Sequence, residues 1–565
     1  MMSAEKLASQ AYLEVAAAHG VEYIFGLPGT SGQEFIGTIA DQEKIRFILA
    51  MHETCVVSMA DGHARVTGRP QLAQVSTLPG SANSVGALYD AYRDRSPVIV
   101  TSTNVDTRID GRDSHTEAKN LVEMTKQFTK WSAEVHRADR IPEYLNRAFK
   151  VASSAPTGPV YLALPSNLLG ESIAVANPDA TRSRVSPRIG GDPKALAEAA
   201  ALLAHAKRPL IVAGSAVAKA AAQNRAIDDL IKLAEMVAAP VVMEPRYSFL
   251  SFPTTHPQSF QIAERQPSFD LPVWGEPDVI LAIGCRLIRE YRYIAEPVIK
   301  PSTQIVHIEE DPWEIGKVFP VDIGIVADAQ SALKALIEGY AKVEPAAGVK
   351  SERLECLRKA KDQATAEIDY RVSQGWDATP INAARVARTM DQLIEKNALI
   401  VNESPTSKDI LMSSFQFSPG RDYFSNSSGG YLGWGLGAAI GAKLASPKRR
   451  VIACLGDGST MFGLQGLWTL AKYRIPLMVI VFNNRAYMAV KNQFRGSEER
   501  IKIAAEMGAE ISGPEINFAR LAETFGIHGE RVEHPSAIEA ALKRALEQHG
   551  PALVDVVISQ NTRKD

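Results

Sequence analysis

The segment Val451 to Asn484, VIACLGDGSTMFGLQGLWTLAKYRIPLMVIVFNN, constrains the fold more than any other part of the chain. Val451 to Leu455 is apolar, too short for a helix and bounded by Gly456, so it reads as a buried strand. Gly456-Asp457-Gly458-Ser459 predicts a turn. Phe462 to Tyr473 then carries Leu464, Leu467, Trp468 and Ala471 at helical spacing, and Pro476 introduces a second buried strand, Leu477 to Phe482. The result is a βαβ unit, which implies a parallel sheet covered on both faces. In open α/β sheets ligands lie beyond the carboxyl ends of the strands. Asp457 ends one of these strands and Asn484 the next. A carboxylate and a carboxamide converging there are hard oxygen ligands suited to Mg²⁺, which keeps part of its shell for substrate phosphates. Gly458 and Ser459 offer N–H groups at a helix start, where anions are favoured.

The same alternation runs through the whole chain. Val21 to Phe25, Ile45 to Ala50, Leu72 to Val75, Val98 to Thr101 and Val160 to Leu164 are strands of a first block. Asn177 to Pro193 is rich in Pro, Gly and charge and reads as a linker. A second block has strands at Pro209 to Ala213, Ala239 to Met243, Val279 to Ile283 and Gln304 to Ile308, with helix over Ala216 to Met236. Glu344 to about Asp377 is a polar connection around a surface helix. The third block has strands at Leu399 to Val401, Val451 to Leu455, Leu477 to Phe482 and Ala552 to Val557. The expected fold class is α/β, with three doubly wound parallel-sheet domains over residues 1–180, 190–343 and 375–565. A length of 565 residues is too great for one core.

Composition narrows the function. A net charge of −2 gives no electrostatic case for nucleic acid or membrane binding. No apolar run is long enough to span a bilayer, and the first twenty residues resemble an amphipathic helix more than a signal peptide. Cys55, Cys285, Cys356 and Cys454 are scattered, which fits a reducing compartment and argues against structural zinc. The expected location is cytoplasmic.

A second candidate cluster lies some 400 residues upstream of Asp457. Phe47 to Glu53, FILAMHE, is a strand ending on a carboxylate, followed by a helical segment from Thr54 to Arg65. On its own Glu53 is a helix-start acid favoured by the dipole. It is preceded by Phe25-Gly26-Leu27-Pro28-Gly29-Thr30 and followed by Ser76-Thr77-Leu78-Pro79-Gly80-Ser81-Ala82-Asn83, both read as loops after strands. These three elements, with the GDGS…NN unit, resemble the thiamine diphosphate (ThDP) decarboxylase and acetohydroxyacid synthase family over nearly the whole length. The resemblance implies pyrimidine-binding, central and diphosphate-binding domains, with ThDP and Mg²⁺ as cofactors. It places Asp457, Asn484 and the Ala486 carbonyl on the metal. It places Pro28, Gly29, Glu53, Asn83, Ser404, Thr406, Gly430, Leu432, Gly458, Ser459, Tyr487 and Met488 around the cofactor. Leu432 fits the aliphatic wedge that bends the cofactor, and the Gly430 carbonyl the acceptor for its 4′-amino group. Glu53 fits the acid that holds a proton on the aminopyrimidine. The family arrangement sets Glu53 of one chain against Asp457 of another, hence a homodimer at least and usually a homotetramer.

Within the family, PTGPVYLALP (156–165), FPTTHP (252–257) and Trp434 to Gly441 resemble benzoylformate decarboxylase and the acetolactate synthase-like group. Benzoylformate decarboxylase uses a serine and two histidines as acid–base groups. The serine position falls on Thr30, one histidine on Ser76 and the other near Tyr291. Thr30 and Ser76 therefore join Glu53 as catalytic candidates. Without imidazoles, protonation of the enamine is slowed, and a longer-lived enamine can attack a second carbonyl. The implied reaction is decarboxylation of a 2-oxo acid followed by ligation or by release of aldehyde. His52 and His115 read as hydrogen-bonding groups before proton donors, and Arg485 and Lys491 as solvated loop charges. Leu27, Thr30, Ala489 and Val490 line the substrate pocket by resemblance, the small residues leaving room for a bulky acyl group. The central block carries one glycine in Val212-Ala213-Gly214-Ser215, which speaks against FAD. A flavin-dependent 2-oxo acid oxidase and a catalytically idle ThDP-binding homologue are the other readings of the same pattern.

Overall fold

The computed structural model describes the chain except for residues 1–4, 175–184, 187, 222–225, 263–268, 272–274, 290–292, 344–347, 495 and 561–565. Most of the expected linker, and Tyr291, lie outside the described residues. The rest builds three six-stranded parallel sheets with helices packed on them, and a small antiparallel pair, Glu5–Leu7 with Ser172–Ala174.

The first and third sheets share one topology. In the first the order across the sheet is Arg46–Leu49, Tyr23–Gly26, Gln71–Ser76, Val98–Asn104, Val160–Pro165, Trp131–Glu134. In the third it is Asp422–Ser425, Leu399–Glu403, Val451–Gly456, Met478–Asn483, Ala552–Val557, His528–Val532. Counted along each domain both read 2-1-3-4-6-5, so each reverses between its first and third strands, where α/β sheets open a ligand crevice. The central sheet reads 3-2-1-4-5-6, with Pro209–Ala213 and Val279–Ile283 at its reversal. The inner strands form where the sequence has unbroken apolar runs, and Val451 to Leu455 is buried throughout.

Several local expectations are corrected. The Gly456–Ser459 segment is not a free turn: a helix begins at Asp457 and runs to Phe462, and a second spans Gly466–Tyr473. The single helix expected from Phe462 is thus broken at Gly463, where a Cβ would meet the Gly433 carbonyl and one on Gly433 would meet the Phe462 backbone. Ser76 to Asn83 is not a loop but the start of the helix Thr77–Arg93. The helix expected over Ala216 to Met236 is two, Ser215–Ala221 and Ala226–Val237. Trp131–Glu134, Ser259–Phe260, Ile323–Val326, Asp422–Ser425 and His528–Val532 are strands not anticipated. All five lie at sheet edges, where one side faces away from the ladder and a continuous apolar run is not needed.

The first and third domains dock through the helices Glu53–Thr67 and Trp434–Ala445. A Cβ on Gly62 would overlap the Ala438 carbonyl, and one on Gly441 the Met59 carbonyl, so the backbones touch only because these residues are glycine. Alongside lies a buried ion cluster. Arg65 donates to Asp61 (2.8 Å), Asp94 (2.7 Å) and the Ser425 carbonyl (2.7 Å), its guanidinium 4.5 Å from the Trp434 ring centre, while Trp434 Nε1 donates to Asp61 (2.6 Å). Satisfied on every side, this arginine fixes the orientation of the two helices. The central domain is tied to both neighbours, by Arg95 to Glu309 (2.6 Å) and by Arg289 to Ser428 (2.7 Å). No helix among the described residues is long and apolar enough to cross a membrane.

Candidate active site

The register of the third sheet brings its reactive loops level. Glu403 pairs with Leu455 and Gly456 with Phe482, so the segments after these strands leave the sheet side by side. They deliver Ser404 and Thr406, Asp457 to Ser459, and Asn484 to Met488. Asp457 is buried; its Oδ1 accepts the Gly458 N–H (2.8 Å) while its Oδ2 is buried with no hydrogen-bond partner in the chain. Burial raises its carboxyl to about 6, against the opposing pull of the N–H groups of Gly458, Arg485 and Ala486. Asn484 accepts the Ala486 N–H (3.0 Å) and donates to Thr406 (3.4 Å). Arg485, between them, has φ 59°, strained for a residue other than glycine. Tyr487 N–H bonds to the Ala509 carbonyl (2.8 Å), and the Tyr487 ring covers Gly458 so closely that a Cβ there would collide with it.

The donor set fits a magnesium diphosphate. A buried carboxylate oxygen without a donor costs free energy unless a cation or a proton meets it. No group of three or more His, Cys, Asp or Glu placed to hold a metal ion occurs among the described residues. A cation at Asp457 would therefore draw on one carboxylate, the Asn484 carboxamide, a backbone carbonyl such as Ala486, and oxygens from outside the protein, which is how Mg²⁺ is bound with phosphates.

The other cluster stands at the carboxyl edge of the first sheet. Glu53 is buried at the first position of its helix, and His52 caps that helix, its Nδ1 accepting the Thr54 N–H (3.1 Å). His52 thus has the structural role, and His115 is exposed. Asn83 donates to Glu53 (3.1 Å), and Gly80 leaves no slack beside that carboxylate. Ser76 lies 3.1 Å from the Ser31 hydroxyl and accepts from Thr103 (3.3 Å), a knot of hydroxyls with Leu27 half-buried and Pro28 and Thr30 exposed next to it. Gly29 is required there, since a Cβ would overlap the Ser76 side chain. Thr77 has φ 50°, a strained value for a β-branched residue and a mark of ligand sites.

Between the clusters runs the loop 429–433, which leads into the helix Trp434–Ala445. Gly430 is exposed with φ 80°, in the left-handed region glycine allows, and Leu432 is half-buried. Glu403, buried, accepts from Gly433 (2.8 Å) and Gly435 (2.7 Å); Asp90, buried, accepts from Tyr431 (3.1 Å). Reading the sequence misses Asp90, Asn426 and this role of Glu403, because the contacts of Asp90 and Glu403 span domains or distant strands and leave no local pattern. Met488 is buried, Ala489 half-buried and Val490 exposed. Lys491 is no solvated charge: it is buried and paired with Glu510 and Gln560.

At the reversal of the central sheet a buried acid joins the loops that follow its two inner strands. The buried Glu244 accepts the Ser215 N–H (2.8 Å) and the Arg286 N–H (3.0 Å) and pairs with Arg289 (3.1 Å).

Comparison with known proteins covers most of the chain. Residues 7–124 match the N-terminal TPP binding domain of thiamine pyrophosphate enzymes, residues 196–336 their central domain and residues 407–556 their C-terminal TPP binding domain. A probable acetolactate synthase large subunit from Methanocaldococcus jannaschii is 29% identical, covering 97% of this chain and 91% of the relative. Benzoylformate decarboxylase from Pseudomonas aeruginosa is 29% identical, covering 98% of each. The solved thiamine diphosphate-dependent 4-hydroxybenzoylformate decarboxylase of Rhodococcus jostii superposes with a TM-score of 0.84 at 27% identity, over 99% of this chain and all of that one.

Proposed function

Because the chain belongs to the thiamine pyrophosphate enzyme family, we propose that it is a ThDP- and Mg²⁺-dependent enzyme that cleaves or joins the carbon–carbon bond beside the carbonyl of a 2-oxo acid. The observation that carries this reading is the Asp457 carboxylate, buried with one oxygen unpartnered beside Asn484 and Ala486 at the ends of adjacent strands. Asp457, Asn484 and the Ala486 carbonyl would hold Mg²⁺, and Gly458, Ser459, Ser404 and Thr406 the diphosphate. When bound, ThDP supplies the electron sink for the carbanion that decarboxylation leaves.

The chain's own groups then have distinct tasks. Glu53, held by Asn83, would keep a proton on the aminopyrimidine edge. The Gly430 carbonyl would accept from the amino group, and Leu432 would hold the two rings bent. Tyr487 and Met488 would close the diphosphate side. We assign Glu53 and Asp457 of one site to different chains of a homodimer or larger assembly. Met51 (50% exposed) stands two residues before Glu53, and Phe462 (50% exposed) ends the helix that begins at Asp457. Exposed apolar side chains at both half-sites favour cover by a second copy.

Ligation is favoured over simple decarboxylation. The wall facing the substrate holds Thr30, Ser76, Ser31 and Thr103, hydroxyls that donate protons poorly near neutral pH. A carbanion equivalent left unprotonated reacts with a second carbonyl. The names of the relatives, an acetolactate synthase and a benzoylformate decarboxylase, agree with a 2-oxo acid donor. The central domain serves as structure on this reading. The test is incubation with pyruvate, benzoylformate and phenylpyruvate, with and without an aldehyde acceptor, in ThDP and Mg²⁺, with products identified by NMR. Acyloin products are expected. Rapid free aldehyde without acyloin defeats the ligation reading, and no turnover of any 2-oxo acid defeats the whole.

A further inference from the structure

Two buried acids from two domains hold the loop that carries Leu432. Asp90 belongs to the N-terminal domain, in the last turn of the helix Thr77–Arg93; Glu403 ends a strand of the C-terminal domain. Asp90 Oδ1 accepts the N–H of Tyr431, and the two oxygens of Glu403 accept those of Gly433 and Gly435. Three donors at alternate residues are thereby fixed on one side of the loop. The Tyr431 carbonyl is fixed as well, accepting from Asn426 Nδ2 (2.6 Å), an amide also 3.3 Å from Asp90 Oδ2. Gly430 is exposed, its N–H held by the Asn426 carbonyl (2.8 Å), and Leu432 is half-buried. The fit around Asp90 is close. A Cβ on Gly429 would overlap the Asp90 carboxylate, and one on Gly86, one helical turn before Asp90, would overlap the Tyr431 ring. Burying two acids is costly unless their oxygens are met, and here they are met by the backbone of this one loop.

Resting on the function proposed above, we infer that Asp90 and Glu403 are positioning residues for the cofactor wedge, and that each N-terminal domain serves two active sites. Its Asp90 sets the Gly430–Leu432 loop of its own chain, and its Glu53 addresses the cofactor held by the partner chain. The contact that makes this division visible is within one chain, between residues 90 and 431.

The test uses purified holoenzyme variants at saturating ThDP and Mg²⁺, read by C2–H/D exchange of bound ThDP and by steady-state turnover. Asp90→Ala should slow exchange roughly ten- to a hundred-fold while ThDP stays bound, because a loop displaced by a fraction of an ångström loses its alignment. Asp90→Asn, which keeps an acceptor for Tyr431, should recover most of that loss. Mixed dimers of Asp90→Ala and Glu53→Gln chains, isolated with two affinity tags, should recover about half the wild-type rate, since one site in two is then intact. Should alanine at 90 prevent folding, Glu403→Ala, which removes both acceptors from the N–H groups of Gly433 and Gly435, should slow exchange in the same way. Unchanged exchange in Asp90→Ala or in Glu403→Ala overturns the positioning role, and mixed dimers no faster than their parents overturn the division between two sites. Unchanged exchange in Glu53→Gln instead overturns the proposed function itself.

Discussion

The Thr54 hydroxyl lies 3.2 Å from the Tyr431 hydroxyl, so the residue after Glu53 touches the residue before Leu432 within one chain. This contact closes a set that also includes Cys55 Sγ to the Gly463 carbonyl (3.8 Å) and Leu49 N–H to Tyr473 (2.9 Å). The strand end that carries the candidate acid is therefore seated on the domain that carries the candidate metal ligands. In the proposed arrangement, rigid seating of this kind holds Glu53 in place for the cofactor of the partner chain.

Asp457→Ala should abolish Mg²⁺-dependent ThDP binding. The unpartnered oxygen is removed, and only Asn484 and a carbonyl remain for the cation. Titration of protein fluorescence with ThDP in Mg²⁺ should show affinity weakened about a hundred-fold or more. Chelating the metal from the wild-type protein should give the same loss. Equal ThDP affinity in the variant would contradict the metal site.

Gly441→Ala should destabilise the junction of the two helices by about 1–3 kcal/mol. The added methyl would meet the Met59 carbonyl, which is backbone and cannot rotate away. Denaturant unfolding monitored by circular dichroism measures the change. A variant as stable as wild type would show that the helices separate at little cost.

The inner architecture is legible because inner strands are buried on both faces. Val451 to Leu455 and Val279 to Ile283 have no polar residue to confuse them, and their spacing leaves room for little but helix between. Edge strands such as Trp131–Glu134, with only partly buried residues, give no such run. At the site, Asp457 and Asn484 are legible because they terminate strands that are legible. Asp90 is not: in Leu88-Tyr89-Asp90-Ala91 it looks like any polar residue on a helix, and its partner lies more than 300 residues away. The break at Gly463 is equally hidden, since it answers to the approach of Gly433.

Glu403 should give the folded state a pH dependence that Glu403→Gln removes. Burial raises its carboxyl to about 8, outweighing the N–H groups that favour the charged form. Between about pH 4.3, where the unfolded chain loses this proton, and pH 8, the folded state holds one proton more. Stability from this group is therefore full below pH 4.3 and is lost as pH rises through 8, by up to about 1.4 kcal/mol per pH unit. Denaturant unfolding at a series of pH values should show wild-type stability falling more steeply over this range than the glutamine variant. Parallel curves would mean that Glu403 is ionised in the fold.

Ser76→His should shift products from acyloin toward free aldehyde. On the proposed function this position faces the substrate, and it is in contact with the hydroxyls of Ser31 and Thr103. An imidazole there supplies a proton donor near neutral pH, worth typically about a hundred-fold or more in a proton transfer. The ratio of aldehyde to acyloin with one 2-oxo acid donor, measured by NMR, is the readout. An unchanged ratio would show that proton supply does not decide the outcome.

The central claim is that Glu53 activates a coenzyme that Asp457 and Asn484 anchor. It is tested most directly by the hydrogen–deuterium exchange rate at C2 of bound ThDP in wild type and Glu53→Gln, with Mg²⁺ and cofactor saturating. The predicted result is exchange slowed by about a hundred-fold or more in the variant, with ThDP still bound. Exchange at the wild-type rate in Glu53→Gln would contradict it.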